Sequence, residues 1–522
     1  MNLTKIIQTQ FSNIQLIFII LSLLAGLISI VFFLRNKYGY SLSFLFLAGL
    51  ILRLVAATFD PFLNSWDEQF HALVAKNMMN DPLRPMLIAN PVLDFDFRDW
   101  TSNHIWLHKQ PWFLWQIALF FKIFGVSEFV LRVPTAIMMS LMILVIYRIG
   151  KLISNPKIAW YGAFLYAFSF YFIHFVSGQV FTDHNDSAFL FYVTLSLWAW
   201  LEYDQSGKRK WIYLVGIFVG IAILNKWLIG LLVYSGWFIS IFAKKEKKVR
   251  IQELKNLGIA LVCSLIIALP WQLYILMAYP NETMHVFLFN NNRHFMEALD
   301  GHSENRWYHF YLLSQQYGGL IVFFVILPGL YFLGKAMHSK TQKIAVITWL
   351  AVPYVFFTLA ATKMPMYCTI TSTIIFLGLG AILDKGIAWA RKYLPARISW
   401  WVVMIFLGYL AYDNLYINQL DVWHSNKQSY WKMKNIDAII DKQVVNKLPA
   451  KDYVVFNCGG NNTTMFMFYS GTTAYGFYPD FNQYQTLKSK GIKMATFTDN
   501  KIPDFLRKDL SVKKIYLQPF YY

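Results

Sequence analysis

The sequence predicts a polytopic α-helical membrane protein of about twelve transmembrane helices, followed by a small C-terminal extracytoplasmic α/β domain. Three observations predict it. Of 522 residues 57% are apolar, 18% aromatic and only 14% charged, a balance that excludes a soluble enzyme. Apolar runs of about 20 residues, the length that crosses a bilayer core, recur along the chain. The formal charge of +19, from 47 Lys and Arg against 28 Asp and Glu, collects in alternate loops, as the positive-inside rule expects.

The spans are expected at 14–34, 40–59, 131–150, 158–176, 187–203, 211–225, 227–243, 257–279, 308–334, 344–361, 366–383 and 399–417. Between them, on one side, lie Arg35 and Lys37, then Arg148, Lys151 and Lys157, then Lys208 to Lys210. The run from Lys244 to Lys255, the group Lys335, Lys340 and Lys343, and finally Lys385 to Arg397 follow on the same side. These are the cytoplasmic loops, and they account for the excess base without nucleic-acid binding. The first apolar run is about one span long and no small-residue cleavage site follows it, so it is expected to remain as a helix rather than to be removed as a signal peptide.

The outward side then receives residues 60–130, the loop near 182–186, the Asn225-Lys226 corner, the loop 280–307, the Thr362–Pro365 corner and everything after about 420. The domains are therefore expected at 1–419, including the outer loop 60–130, and 420–522. Within that loop, residues 111–125 (PWFLWQIALFFKIFG) are too short to span and rich in Trp and Phe, which favours a helix lying in the interface over a re-entrant one. The tail alternates Lys and Asp with short β-rich runs at 453–456, 466–469, 494–497 and 514–517, and has helical patterns at 428–447 and 481–490. Its Cys458-Gly459-Gly460 lacks the spaced third glycine of a nucleotide loop and reads as a tight turn. Three cysteines make no disulfide framework.

Ionisable residues gather at the outward ends of the spans, where each has a structural and a functional reading. Asp67 and Glu68 open a helical run after Ser65. A capping box from Ser65 to Glu68 accounts for Glu68, while Asp67 serves either the helix dipole or the deprotonation of an acceptor hydroxyl. His71, one turn on, is either solvated or half of a metal pair. Lys109, in His108-Lys109-Gln110-Pro111, either snorkels or pairs with a lipid phosphate. Asp183 and Asp186 precede a span with more carboxylate than capping needs. Lys226 and Lys363 stand between apolar runs with almost no loop, and face water, protein or an anion rather than lipid. Arg293 and His294 add cations in the loop 280–307, for an anion or for solubility. Cations of this kind suit a departing phosphate, whose charge grows in the transition state.

The ordered set Asp67-Glu68, His108-Lys109-Gln110-Pro111, Gly125 to Pro134, Asn225-Lys226, Leu269-Pro270-Trp271 and Lys363-Met-Pro-Met-Tyr367 resembles the GT-C membrane glycosyltransferases. The resemblance covers roughly residues 40–385, and its branch is the lipid A 4-amino-4-deoxy-L-arabinose transferase-like group, related to protein O-mannosyltransferases. It implies transfer of a monosaccharide from a polyprenyl (undecaprenyl) phosphate carrier to an envelope acceptor, with inversion, in a bacterial cytoplasmic membrane, the active site facing the periplasm. Asp67 is then the catalytic carboxylate, with Asp186, or Asp183 in another register, as the family's second aspartate. Lys109, Lys363 and Tyr367 become phosphate ligands, joined by Lys226 and by Arg293 or His294. Gln110 stands where the family has a second proline, His108 where it has an acidic residue and Trp227 where it has glycine. These differences point to another sugar or acceptor. The donor needs no nucleotide, no cofactor is fixed, and a divalent metal is left open. A lipid-linked sugar transporter or flippase is the alternative; it predicts polar residues through the midplane and symmetrical halves, which this sequence lacks.

Overall fold

A computed structural model of the chain describes residues 11–64, 67–179, 183–288, 294–298, 302–415, 453–458 and 462–516. It is mostly helical. Along the chain run α1 (Asn13–Leu34), α2 (Tyr38–Ala56), α3 (Asp67–Met78), α4 (Trp112–Phe124), α5 (Glu128–Ile153), α6 (Pro156–Ala167), α7 (Asp183–Ser206) and α8 (Arg209–Lys226). Next come α9 (Leu232–Ile241), α10 (Lys247–Ala278), α11 (Tyr308–Tyr317), α12 (Leu320–Ala336), α13 (Lys340–Leu359), α14 (Ser372–Ala390) and α15 (Ala396–Asn414). The tail holds β1 (Tyr453–Phe456), α16 (Asn462–Ser470), α17 (Phe481–Ser489), β2 (Lys493–Phe497), α18 (Asp504–Lys508) and β3 (Lys513–Ile515). Short helices at Phe170–His174, Pro280–Leu288 and His294–Met296, and 3-10 turns at Trp227–Leu231 and Tyr367–Thr371, complete the described elements.

Among the described residues six helices are long and apolar enough to cross a membrane, or seven if a bent pair counts as one span. That pair is α11 and α12, which meet at 102°. Gly318 and Gly319 make the corner with φ of 120° and 90°, a backbone region that costs other residues a Cβ clash. The chain is thus a membrane protein. Each of the twelve apolar segments is largely helical, but not each is one straight helix: 158–176 breaks after Ala167, and 308–334 turns at its glycine pair.

The chain divides into two compact units, residues 1–59 with 132–422 and residues 60–131 with 423–522. The loop 60–130, which the sequence groups with the spans, shares a unit with the tail instead. In the first unit helices meet through small residues, as expected where lipid gives no hydrophobic drive to association. A Cβ at Gly329 would fall 2.6 Å from the Gly378 carbonyl oxygen, and one at Gly380 2.7 Å from the Ile158 oxygen, so α12, α14 and α6 can approach only as glycines allow. A charge buried in this unit also finds carbonyl partners. Arg53 is 0% exposed and donates to the carbonyls of Gly49 (3.1 Å), Ala167 (3.3 Å) and Tyr166 (3.3 Å), while lying 5.0 Å from the Tyr166 ring centroid. It caps the C-terminal end of α6, which α6's own residues leave with orphan carbonyls.

In the second unit β1, β2 and β3 form a parallel sheet in that order, with Val454 opposite Met494 and Ala495 opposite Lys513. Helices α16 and α17 connect β1 to β2, and α18 connects β2 to β3. The expected strand at 466–469 is part of α16, and its aromatic run is too short for periodicity to separate a strand from a buried helix. The strands expected at 453–456, 494–497 and 514–517 match β1, β2 and β3 over the described residues, and the helix at 481–490 matches α17. The helix expected at 428–447 lies outside the described residues. The loop 60–131 interlocks with this tail: the Tyr475 hydroxyl accepts from the amides of Val92 (3.0 Å) and Leu93 (3.2 Å), and Thr473 Oγ1 donates to the Asn90 carbonyl (2.8 Å). Helix α4 buries Phe113, Leu114, Ile117, Ala118 and Phe121 on one face and exposes Leu119, Ile123 and Phe124 on the other.

Candidate functional site

The second unit carries Asp67 and Lys109. Asp67 begins α3, whose first turn it shares with Glu68. Glu68 turns back toward the preceding chain, and its Oε2 accepts from the Asn64 amide (2.6 Å) and from Asn64 Nδ2 (3.0 Å). This satisfies Glu68 as an end-of-helix residue and leaves Asp67 to other work; Ser65, the expected cap, lies outside the described residues. The Asp67 carboxylate and the Lys109 ammonium face each other at 3.9 Å, with side chains 6% and 17% exposed. At that separation two unit charges attract by about 4 kcal/mol in the dielectric of a protein edge. Such a pair holds the Lys109 ammonium toward the first residue of α3. His108 stacks on Trp100 with ring centroids 4.3 Å apart, and Gln110 is buried, so the residues flanking Lys109 are held. His71 is not solvated: it is 0% exposed, edge-on to Phe113 and Trp106.

The first unit carries a separate group. Asp186 lies in the first turn of α7 and Lys226 closes α8. Lys226 donates to Asp186 Oδ1, and the same ammonium lies 4.8 Å from the centroid of the Tyr367 ring. Tyr367 in turn stacks on Phe357 at 4.3 Å. Lys363 is occupied: its Nζ donates to the carbonyls of Phe357 (3.0 Å), Thr358 (3.1 Å) and Ala360. An ammonium has three protons, and all three here close the C-terminal end of α13, where a cation also favours the helix dipole. Burial, and after it the nearby Arg306, push the Lys363 ammonium below its ordinary value.

The structure also brings up residues that sequence reading passed over. Gln316 on α11 donates to the Pro365 carbonyl (2.8 Å) and to the Tyr171 hydroxyl (3.2 Å), fixing the corner that carries Lys363 and Tyr367. His309, 1% exposed on the same helix, lies 6.2 Å from the Tyr367 ring. The signal was present, since both are polar residues inside an apolar run, but their spacing matches no motif. Asp183 starts α7 and His294 starts a short helical turn, with side chains outside the described set, as is Arg293 altogether. Among the described residues no group of three or more His, Cys, Asp or Glu is placed to hold a metal ion.

Residues 108–274 match the family model described as dolichyl-phosphate-mannose-protein mannosyltransferase. The undecaprenyl phosphate-alpha-4-amino-4-deoxy-L-arabinose arabinosyl transferase of Pseudomonas aeruginosa is 29% identical over 289 residues, 52% of this chain and 49% of that protein. The chain thus spans about half the length of the curated relatives it matches. Among solved structures, ArnT from Cupriavidus metallidurans bound to undecaprenyl phosphate superposes with a TM-score of 0.64 at 15% identity, covering 85% of this chain and 87% of that one. The oligosaccharyltransferase AglB from Archaeoglobus fulgidus, in complex with an inhibitory peptide and a dolichol-phosphate, gives 0.51 at 13% identity, covering 82% and 64%. This chain is thus a membrane protein that shares the fold of these solved transferases and is similar in sequence, over part of its length, to aminoarabinose transferases.

Proposed function

We propose that the chain is a glycosyltransferase that moves a monosaccharide from a polyprenyl phosphate to an envelope acceptor at the outer face of a bacterial cytoplasmic membrane. The observation that carries this reading is the match of residues 108–274, which contain Lys109, Asp186 and Lys226, to a family model named for a lipid-phosphate sugar donor, beside the similarity to a transferase named for undecaprenyl phosphate. In the reaction an acceptor oxygen attacks the anomeric carbon and forms the new glycosidic bond. The bond from that carbon to the phosphate oxygen breaks, and the electron pair leaves with the lipid phosphate. Asp67 takes the acceptor proton, and Lys109 offsets the charge that grows on the phosphate. Tyr367, and Arg293 or His294, are further candidate phosphate ligands that the resemblance implies. Lys226 orders Asp186 and Tyr367. Lys363 supplies positive charge from the end of α13 and binds a phosphate oxygen directly only by releasing one of its carbonyls.

The same reading makes the chain a protein of twelve spans, with the Lys- and Arg-rich loops in the cytoplasm and residues 420–522 forming an extracytoplasmic α/β domain. The basic loops support this topology. The departures at His108, Gln110 and Trp227 support a sugar or an acceptor other than aminoarabinose and lipid A.

The test supplies purified wild type and Asp67→Asn with a pool of polyprenyl phosphate monosaccharides and extracted envelope acceptors, and measures free polyprenyl phosphate by mass spectrometry. Wild type should release it as sugar appears on one acceptor, and Asp67→Asn should be slower by about 10² to 10⁴. Donor binding by both proteins without release from either would favour a transporter.

A further inference from the structure

Helix α3, which begins with Asp67, is held at both ends by two consecutive residues of the tail. At its N-terminal side the Tyr469 hydroxyl accepts from the Leu63 amide (3.2 Å) and donates to Glu128 Oε1 (2.7 Å). Leu63 is joined to Asn64, whose amide and side chain are taken by Glu68. The approach to α3 is thus fixed from the tail on one residue and from α3's own first turn on the next. In the last turn of α3, Lys76 Nζ donates to the Phe468 carbonyl at 2.5 Å and lies 5.3 Å from the Phe468 ring centroid. Phe468 also meets Phe121 of α4 at 6.2 Å, the helix that follows Lys109.

The chemistry of these contacts goes beyond packing. Burial, followed by the Glu128 charge, raises the Tyr469 hydroxyl far above its ordinary value, so it stays a neutral donor to the carboxylate. Ten of the twelve residues of α3 are buried, which lets the helix shift only as a body. A rigid helix pinned at two points sets the position of its first residue, and that residue is Asp67. Reaction rates respond to such settings: a displacement of about 1 Å in a reacting group costs on the order of 10² in rate.

We propose that Tyr469 and Lys76 are positioning residues for the transfer, and that α16 of the tail is the part that places Asp67 for reaction. The proposal rests on the reading of Asp67 given above. The hydroxyl of Tyr469 and the ammonium of Lys76 are engaged with Leu63, Glu128 and Phe468, and through these contacts they act on α3.

The experiment compares full-length wild type, Tyr469→Phe, Lys76→Met and Asp67→Asn, purified in the same detergent, for kcat, donor KM, melting temperature and amide hydrogen exchange at residues 63–70. Tyr469→Phe and Lys76→Met keep the ring and the stem, so they remove one polar group each. Both should lower kcat by about tenfold or more, leave donor KM within about twofold, and speed exchange near Leu63 in the case of Tyr469→Phe. Wild-type kcat in both variants beside an inactive Asp67→Asn overturns the proposal. An equal loss of kcat and melting temperature, with exchange raised throughout the chain, overturns it too, because the tail would then act on stability alone. Full activity in Asp67→Asn removes the reading of Asp67 and the proposal with it. If Tyr469→Phe fails to fold, Lys76→Met decides.

Discussion

Lys226 donates a charge-assisted hydrogen bond to Asp186 while lying over the Tyr367 ring at 4.8 Å. The pair is deeply placed, with the Asp186 and Lys226 side chains 3% and 19% exposed. Removing one charge leaves the other poorly solvated, so Asp186→Asn should lower stability by about 3 kcal/mol, seen as a fall in the thermal midpoint. Asp186→Asn combined with Lys226→Met should recover part of that loss, since neither charge is stranded. A double variant whose loss equals the sum of the two singles would show that the pair is not coupled.

Lys363 separates two roles that the sequence could not. Its protons close the carbonyls of α13, so Lys363→Met should lower the thermal midpoint even with no donor present, by about 1 to 2 kcal/mol. An unchanged midpoint together with weakened donor binding would assign the lysine to the phosphate alone.

Lys109 should behave differently. Its partner is a carboxylate at 3.9 Å, and its ammonium is partly open, so it can turn to a phosphate without exposing a helix end. Lys109→Met should raise donor KM by about tenfold, equivalent to about 1.4 kcal/mol, and make the remaining affinity less sensitive to salt. Steady-state kinetics at two ionic strengths would check both, and an unchanged KM would return Lys109 to the anchoring role.

The tail should carry an acid sensitivity of its own. Asp509 accepts from Lys488 Nζ (2.7 Å), from the Tyr484 hydroxyl, and from the amide (2.8 Å) and hydroxyl (2.7 Å) of Ser511. Lys488 first, and Tyr484 next, hold its carboxyl well below the usual range. A carboxyl lowered by folding contributes stability that is fully present above its unfolded value of about 3.9 and is lost as pH falls toward the folded one. Hydrogen exchange in residues 481–515 should therefore quicken below about pH 4. Asp509→Asn should be less protected at neutral pH and nearly flat across the acid range. The same acid limb in both proteins would place the sensitivity elsewhere.

What the sequence made legible follows from the range over which each signal acts. Span positions are local, about 20 apolar residues each, and every predicted span is largely helical. The break in 308–334 was written in the Gly318-Gly319 pair, yet hydropathy averages over glycine and reads through it. Glu68 was legible as a helix-end residue, and among the described residues it takes the amide and side chain of Asn64. The capping work of Lys363 was within six residues of it in sequence and was still hidden, because the Lys-x-Pro-x-Tyr pattern suggested a ligand first. The burial of His71 was not legible, since nothing local in the sequence reports the Phe113 and Trp106 rings that cover it. The Lys226 contact with Asp186, across 40 positions, and the interlock of Tyr475 with Val92 required the fold itself.

The pairing of Lys76 with the Phe468 carbonyl spans 392 residues, which sets an order on synthesis. At about 5 to 20 residues per second, a translating ribosome delivers α16 roughly 20 to 80 s after α3. For that interval residues 60–131 have been made without the segment that completes their unit. Contacts this distant in sequence also make for slow closure, since the loop entropy is lost before the contact is gained. A truncated message lacking the last sixth of the chain would leave α3 in that waiting state permanently, and the fate of such a product would be decided by chaperones and proteases rather than by the stability of the membrane helices.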